Sequence, residues 1–182
     1  MSRYIFCIFI GLKKFMKELP IDVIDKLVIE WGNERPDLDA SAMSIVGRIL
    51  KLGKILEKRA GQALKDSGIY YTDLDVLATL RRSGKPYELT PKELMQSVLI
   101  TSGAMTALLD RLTKLDLIYR AQDKQDGRIK RAGLTKKGKK VIDKAIEVRF
   151  VEAKDAVGAL NKKEEESLGL LLKKMLSEIN LD

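Results

Sequence analysis

The 182-residue sequence contains no histidine, and its one cysteine is Cys7. The missing histidine removes the commonest general base, the commonest metal ligand and every Ser-His or Cys-His nucleophile pair. A single thiol cannot build a disulfide framework or a zinc site of several thiolates. A Gly-rich phosphate loop is missing as well. These gaps predict a protein that is not an enzyme and carries neither cofactor nor metal. The run Tyr4 to Leu12 is too short to span a bilayer, so no stable membrane association is expected. What is present is 45% hydrophobic and 33% charged residues, a balance that buries a core under a solvated surface rather than leaving the chain disordered. The length suits one domain with appendages.

Lys and Arg number 34 against 26 Asp and Glu, a net charge of +8. The excess is focused. Between Arg111 and Lys140 lie eleven basic residues against Asp116, Asp123 and Asp126, which accounts for all of it. Clustered positive charge is the electrostatic footprint of a polyanion partner, nucleic acid before anionic membrane. The bland alternative is a solvated Lys-rich face.

Residues 1–40 read as an N-terminal leader followed by an extra amphipathic helix. The leader resembles a short signal-peptide core but lacks a small-residue cleavage site, and Lys13, Lys14 and Lys17 follow it. Residues 1–15 are therefore either a misassigned leader ahead of Met16 or an additional dimerising segment. Nothing beside Cys7 except general basicity would activate its thiol as an oxidation sensor. Ile21, Ile24, Leu27, Val28 and Trp31 then recur at helical spacing, with Gly32 and Pro36 expected to end that helix.

From residue 41 the pattern is mainly helical. Asp39 or Ser41 can cap a long helix to about residue 66, with Val46, Ile49, Leu50, Leu56, Ala60 and Leu64 on its inner face and Gly68 as its stop. Thr72 or Asp73 can cap the next, which carries Leu74, Leu77 and Leu80. Thr90-Pro91-Lys92-Glu93 is a capping box with proline in the first turn. After Val98-Leu99-Ile100, Thr101 or Ser102 opens a helix that buries Met105, Leu108, Leu109, Leu112 and Leu115. Its other face, Ser102, Thr106, Ala107, Asp110, Arg111 and Lys114, is short-chained or basic. Two short helices with a tight connection form either an ordinary helical hairpin or a helix-turn-helix, and small polar residues at the second N-terminus let a backbone approach base edges in a major groove.

A β-hairpin follows, with strands at 117–121 and 129–134 and a turn at 123–127. Lys124, Arg128, Lys130 and Arg131 surround its tip, where arginine can reach a narrow minor groove. Asp123 and Asp126 suit turn formation or the orientation of Arg128. Thr135 caps a helix carrying Val141, Ala145 and Val148. Asn161 with Glu164 caps a last one, whose stripe Leu168, Leu171, Leu172, Met175, Leu176 and Ile179 must be covered within the chain or by a twofold mate. The fold class expected is mainly α with a small β-wing: a winged helix-turn-helix core at about 70–137, flanked by N- and C-terminal dimerisation helices at about 41–66 and 136–180.

Leu74-Asp75-Val76-Leu77-Ala78-Thr79-Leu80-Arg81-Arg82, Leu89-Thr90-Pro91, Thr101-Ser102-Gly103-Ala104-Met105-Thr106, Asp123-x-x-Asp126-Gly127-Arg128 and Leu134-Thr135-x-x-Gly138 together resemble the MarR (multiple antibiotic resistance regulator) family over roughly residues 41–180. The resemblance implies a cytoplasmic, nucleoid-associated homodimer that binds a palindromic operator in double-stranded DNA, usually as a repressor released by a small ligand. By position it makes Thr101 or Ser102 the start of the recognition helix and Arg128 the wing arginine. Asp116 stands where the family usually has glycine; Asp tolerates the left-handed conformation, so the turn survives.

Trp31, Glu34-Arg35-Pro36-Asp37-Leu38-Asp39 and Gly47-Arg48 are similar to a subgroup with an extra N-terminal helix, some of whose members answer to urate or related aromatic anions. Trp31 and Asp75 match that subgroup's ligand-linked positions, but its arginine falls at Leu109, so an anionic effector needs another cation, for which Arg48 is the candidate. Trp31 reads equally as an anchor packing the extra helix. The alternative to a regulator is a winged-helix protein-interaction module without specific DNA binding, which would show little salt-dependent DNA affinity. A membrane-surface protein anchored by its basic leader is a further rival.

Overall fold

The computed structural model describes residues 19–98, 102–123 and 126–179, which form helices α1 (Val23–Glu34), α2 (Ser41–Ala63), α3 (Tyr71–Arg82), α4 (Pro91–Ser97), α5 (Ser102–Lys114), α6 (Lys136–Ala156) and α7 (Lys162–Glu178) and strands β1 (Glu88–Leu89), β2 (Ile118–Gln122) and β3 (Lys130–Leu134). Fold class is as the sequence implied: mostly helical with one small antiparallel sheet. The chain divides into two compact units, Met1–Lys54 and Ile55–Asp182, a division that falls inside α2 rather than at residue 40.

The contacts made within the first unit explain that position. Asp22 caps α1 by accepting from Ile24 N (2.7 Å) and Asp25 N (2.9 Å), while the Asp25 carboxylate accepts from Asp22 N (3.0 Å). Ile24 is buried against Gly47, where a Cβ would lie 3.2 Å from Ile24 Cδ1. Arg48 then bridges Asp22 (2.9 Å) and Asp25 (2.5 Å). The early part of α2 therefore belongs with α1. Gly32 does not end α1, which continues to Glu34. A helical glycine costs only about 1 kcal/mol, and the Arg35 N–H closes the end on Trp31 O at 2.8 Å.

In the second unit the core gathers Leu74, Val76, Leu77 and Leu80 of α3, Leu94 of α4, Met105, Leu109 and Leu112 of α5, Ile118 of β2, and Ile142 and Ala145 of α6. Asp73 is not the cap of α3. That helix starts at Tyr71, and Asp73 sits in its first turn, where its carboxylate accepts from Tyr70 N at 2.8 Å. The sheet runs β1-β3-β2 with both pairs antiparallel, Leu89 opposite Ala132 and Ile118 opposite Leu134. β1 was not expected, because two residues are too few to show alternation.

The expected apolar face of α2 is only partly inside. Ala60 and Leu64 are buried, whereas Val46, Leu50 and Leu56 are exposed. On α7, Leu168, Leu171, Leu172, Leu176 and the flanking Ile179 are exposed too. Among the described residues, neither stripe is covered.

Candidate nucleic-acid interface

Thr90 and Glu93 set the start of the helix-turn-helix. Thr90 Oγ1 accepts from Glu93 N (3.2 Å) and Glu93 accepts from Thr90 N (2.7 Å), so the capping box expected at residues 90–93 is present. Those hydrogen bonds, with Arg131 3.8 Å away, hold the Glu93 carboxyl below its ordinary range. Helix α5, the second of the pair, follows at Ser102. Met105, Leu109 and Leu112 anchor its inner side, leaving Gly103, Thr106, Ala107, Asp110 and Lys114 exposed. The outward face thus has the short side chains that close approach to a groove requires.

The far end of α5 is fixed by a Schellman arrangement. Leu117 N donates to Leu112 O (3.0 Å) and Asp116 N to Thr113 O (3.0 Å), with Asp116 at φ 57°. Asp116 therefore takes the left-handed conformation expected of a glycine substitute. The start of α6 locks onto this end. Thr135 Oγ1 donates to Asp116 O (2.7 Å) and accepts from Gly138 N (2.8 Å), and Lys137 Nζ donates to Leu115 O (2.8 Å). A Cβ at Gly138 would lie 1.8 Å from Leu117 O, so only glycine permits the contact.

The wing is ordered by its own aspartates. Asp123 N donates to Ile129 O (2.8 Å), Asp126 N to Asp123 Oδ1 (3.1 Å) and Arg128 N to Asp126 Oδ1 (3.0 Å). The Arg128 side chain is 97% exposed, with Asp126 at 3.9 Å. Lys130 is exposed beside it. Tyr119 of β2 donates to Glu88 of β1 at 2.6 Å across Gly133, and this bond pushes the phenol pKa up to about 12.

Several expected site residues are placed elsewhere. Arg111 is not on the groove-facing side. Its guanidinium pairs with the fully buried Asp73 and lies 4.3 Å from the centre of the Tyr70 ring. A buried carboxylate draws in the nearest cation because leaving it unpaired costs several kcal/mol, on the order of 3–5. Arg131 is bound to Asp123 and flanked by Glu93, so Asp123 orients Arg131 rather than Arg128. Arg48 is engaged by Asp22 and Asp25 and is not a spare cation for an anionic effector. Trp31 is half exposed on α1. Asp75 is half-buried, and desolvation raises its carboxyl above the ordinary range against the opposing pull of Arg149 and Arg82. Thr101 and Lys124 lie outside the described residues. What sequence reasoning missed is the Asp73–Arg111–Tyr70 cluster, in which Arg111 lies far along the chain from the neighbouring Tyr70 and Asp73. Asp73 gave only a capping signal.

A model of the MarR family matches residues 67–129, from the turn before α3 to the wing. Over a longer stretch, the HTH-type transcriptional regulator PecS of Dickeya dadantii is 28% identical across 149 residues, covering 82% of this chain and 90% of that protein. Together these findings support a winged-helix transcriptional regulator of the MarR family. Solved structures agree on the fold. A cysteine-substituted Escherichia coli MarR complexed with operator DNA superimposes with a TM-score of 0.66 at 22% identity, covering 80% of this chain and 97% of that one. BpsR of Bordetella bronchiseptica, whose DNA binding is regulated by 6-hydroxynicotinic acid, gives 0.64 at 22% identity, covering 71% and 97%. Among the described residues no helix is long and apolar enough to cross a membrane.

Proposed function

We propose that this MarR family regulator is a homodimeric, ligand-responsive repressor of a palindromic operator, without catalysis of its own, working in the cytoplasm at the nucleoid. The observation that carries the reading is the short-chained outer face of α5 beside a wing whose Arg128 is almost wholly exposed. Thr101, Ser102, Thr106 and Lys114 would read or approach the major groove, and Lys124, Arg128 and Lys130 would follow the adjacent minor groove and its phosphates. The exposed apolar stripes of α2 and α7 favour a second copy as their cover. A twofold axis built on terminal helices would set two reading helices about 34 Å apart, one turn of duplex. MarR with operator DNA and BpsR with its ring acid are the neighbours that suggest operator and effector.

The test is fluorescence anisotropy with a duplex from the gene's own upstream region against a scrambled duplex at two salt concentrations, with the mass in solution measured by light scattering. Tighter binding to the native duplex, falling steeply with salt, from a particle of twice the chain mass supports the proposal. Equal, weak binding to both duplexes, or a monomer, refutes it for that operator or that assembly and favours a protein-interaction module.

A further inference from the structure

Tyr119, Gly133 and Glu88 stand in one row across the sheet, because Gly133 of β3 is opposite both Tyr119 of β2 and Glu88 of β1. β3 lies between the other two strands, so the backbone does not join β2 to β1 directly. The Tyr119 side chain crosses that gap. Its ring lies over the buried Gly133, and its hydroxyl donates to Glu88 Oε1 at 2.6 Å. A Cβ at Gly133 would lie 2.5 Å from Tyr119 Cζ and 2.9 Å from Glu88 Cγ, so only glycine leaves room for the crossing. Glycine inside a strand weakens it and marks a close approach by another group. Aromatic cover over a strand glycine is a stabilising device in its own right. That accounts for the ring but not for the bond from hydroxyl to carboxylate, which is charge-assisted and directional.

The two ends of this bond belong to different DNA-facing parts. Glu88 stands two residues before Thr90, the cap of α4, and Tyr119 stands at the root of the wing. β1 pairs with β3 at Glu88 and Leu89 alone, which is little backbone to hold a hairpin at a fixed angle. Arg131, two residues from Gly133 and so on the same face, adds a second tie through Asp123, with Glu93 of α4 at 3.8 Å. The helix-turn-helix thus supplies the acceptors Glu88 and Glu93, and the hairpin supplies the donors Tyr119 and Arg131. Arg128 is 97% exposed, so packing at the tip does not place it. We infer that the Tyr119–Glu88 bond is a strap that fixes the angle of the wing on the helix-turn-helix, and that Tyr119 is a positioning residue for Arg128 that acts on DNA without touching it. The inference rests on the DNA-reading role proposed above for the wing. A wing free to pivot must be ordered when DNA binds, and that cost is removed when the strap has ordered it beforehand.

A double-mutant cycle on the full chain tests the inference, with operator binding followed by anisotropy at several salt concentrations and amide hydrogen exchange followed by mass spectrometry. Tyr119→Phe and Glu88→Ala should each weaken operator binding at least about threefold and speed exchange across residues 118–134. Glu88→Gln keeps an acceptor of the same length and should stay within about twofold of the parent in binding. Tyr119→Phe combined with Arg128→Ala should bind no more than about twofold more weakly than Arg128→Ala alone, because the strap acts through that arginine. Additive losses, which a sheet merely weakened in stability would give, overturn the inference. So does parental affinity in Tyr119→Phe, or a Glu88→Gln as damaging as Glu88→Ala. If Arg128→Ala binds as the parent does, or the parent does not bind its operator, the failure is that of the wing's DNA-reading role. Exchange then judges the strap by itself: a parental rate across 118–134 in Tyr119→Phe overturns it, and a faster one that Glu88→Gln does not share upholds it.

Discussion

Replacing Arg111 with Met removes the partner of the one fully buried carboxylate among the described residues while keeping the length and apolar stem of the side chain. Asp73 has no solvent exposure, and its Oδ1 already has no hydrogen-bond partner. The Arg111 side chain is 36% exposed, which places the cost at the lower end of the range for breaking a buried pair, about 3 kcal/mol. Loss of the contact with Tyr70 adds at most about 1 kcal/mol. With a urea slope of about 2 kcal/mol per molar, the unfolding midpoint should fall by about 1.5 M at fixed protein concentration. Asp73→Asn combined with Arg111→Met should recover part of that loss, because the uncompensated charge is gone while an acceptor for Tyr70 N remains. The salt dependence of operator binding should be unchanged, since no phosphate contact is removed. The reasoning is refuted if Arg111→Met unfolds within about 0.5 kcal/mol of the parent while the salt slope falls by about one unit, the result expected of an arginine that contacts phosphate.

Arg128→Ala should do the opposite: operator binding weakens by more than about 1 kcal/mol and the salt slope drops by about one, with the dimer and the unfolding midpoint unchanged; titrations at several salt concentrations decide this. Gly138→Ala should destabilise by on the order of 1–3 kcal/mol, because the new methyl must displace the Leu117 carbonyl at the base of the reading helix; a urea midpoint equal to the parent's would contradict it. Tyr119 holds its proton up to about pH 12 in the folded chain but ionises near 10 when unfolded. Its contribution is present in full below pH 10 and is lost as pH rises through 12, so Tyr119→Phe should flatten the stability profile between those values. Absorbance at the phenolate band should likewise lose its latest-titrating component.

Local chemistry was legible in the chain. The capping boxes at Thr90 and Asn161 and the Thr135 cap were foreseen because each depends on residues within a few positions of one another, and the left-handed Asp116 was expected from the resemblance, which puts glycine there. The order of elements, from α3 through the wing, was set by hydrophobic period and turn residues, and the family match covers that same stretch. Charge could be counted but not aimed. From sequence Arg111, Arg128 and Arg131 are all candidate DNA-contacting cations. Only the fold brings a buried carboxylate to the first, leaves the second in solvent and gives the third to Asp123. The same limit hid β1, whose two residues form a strand only because β3 returns beside them. Caps, turns and periodicity act over one or two helical turns, so the sequence alone determined them. Which charges are neutralised, and which remain free to meet a ligand or DNA, depends on desolvation and distance between residues remote in the chain, and only the tertiary structure decided it.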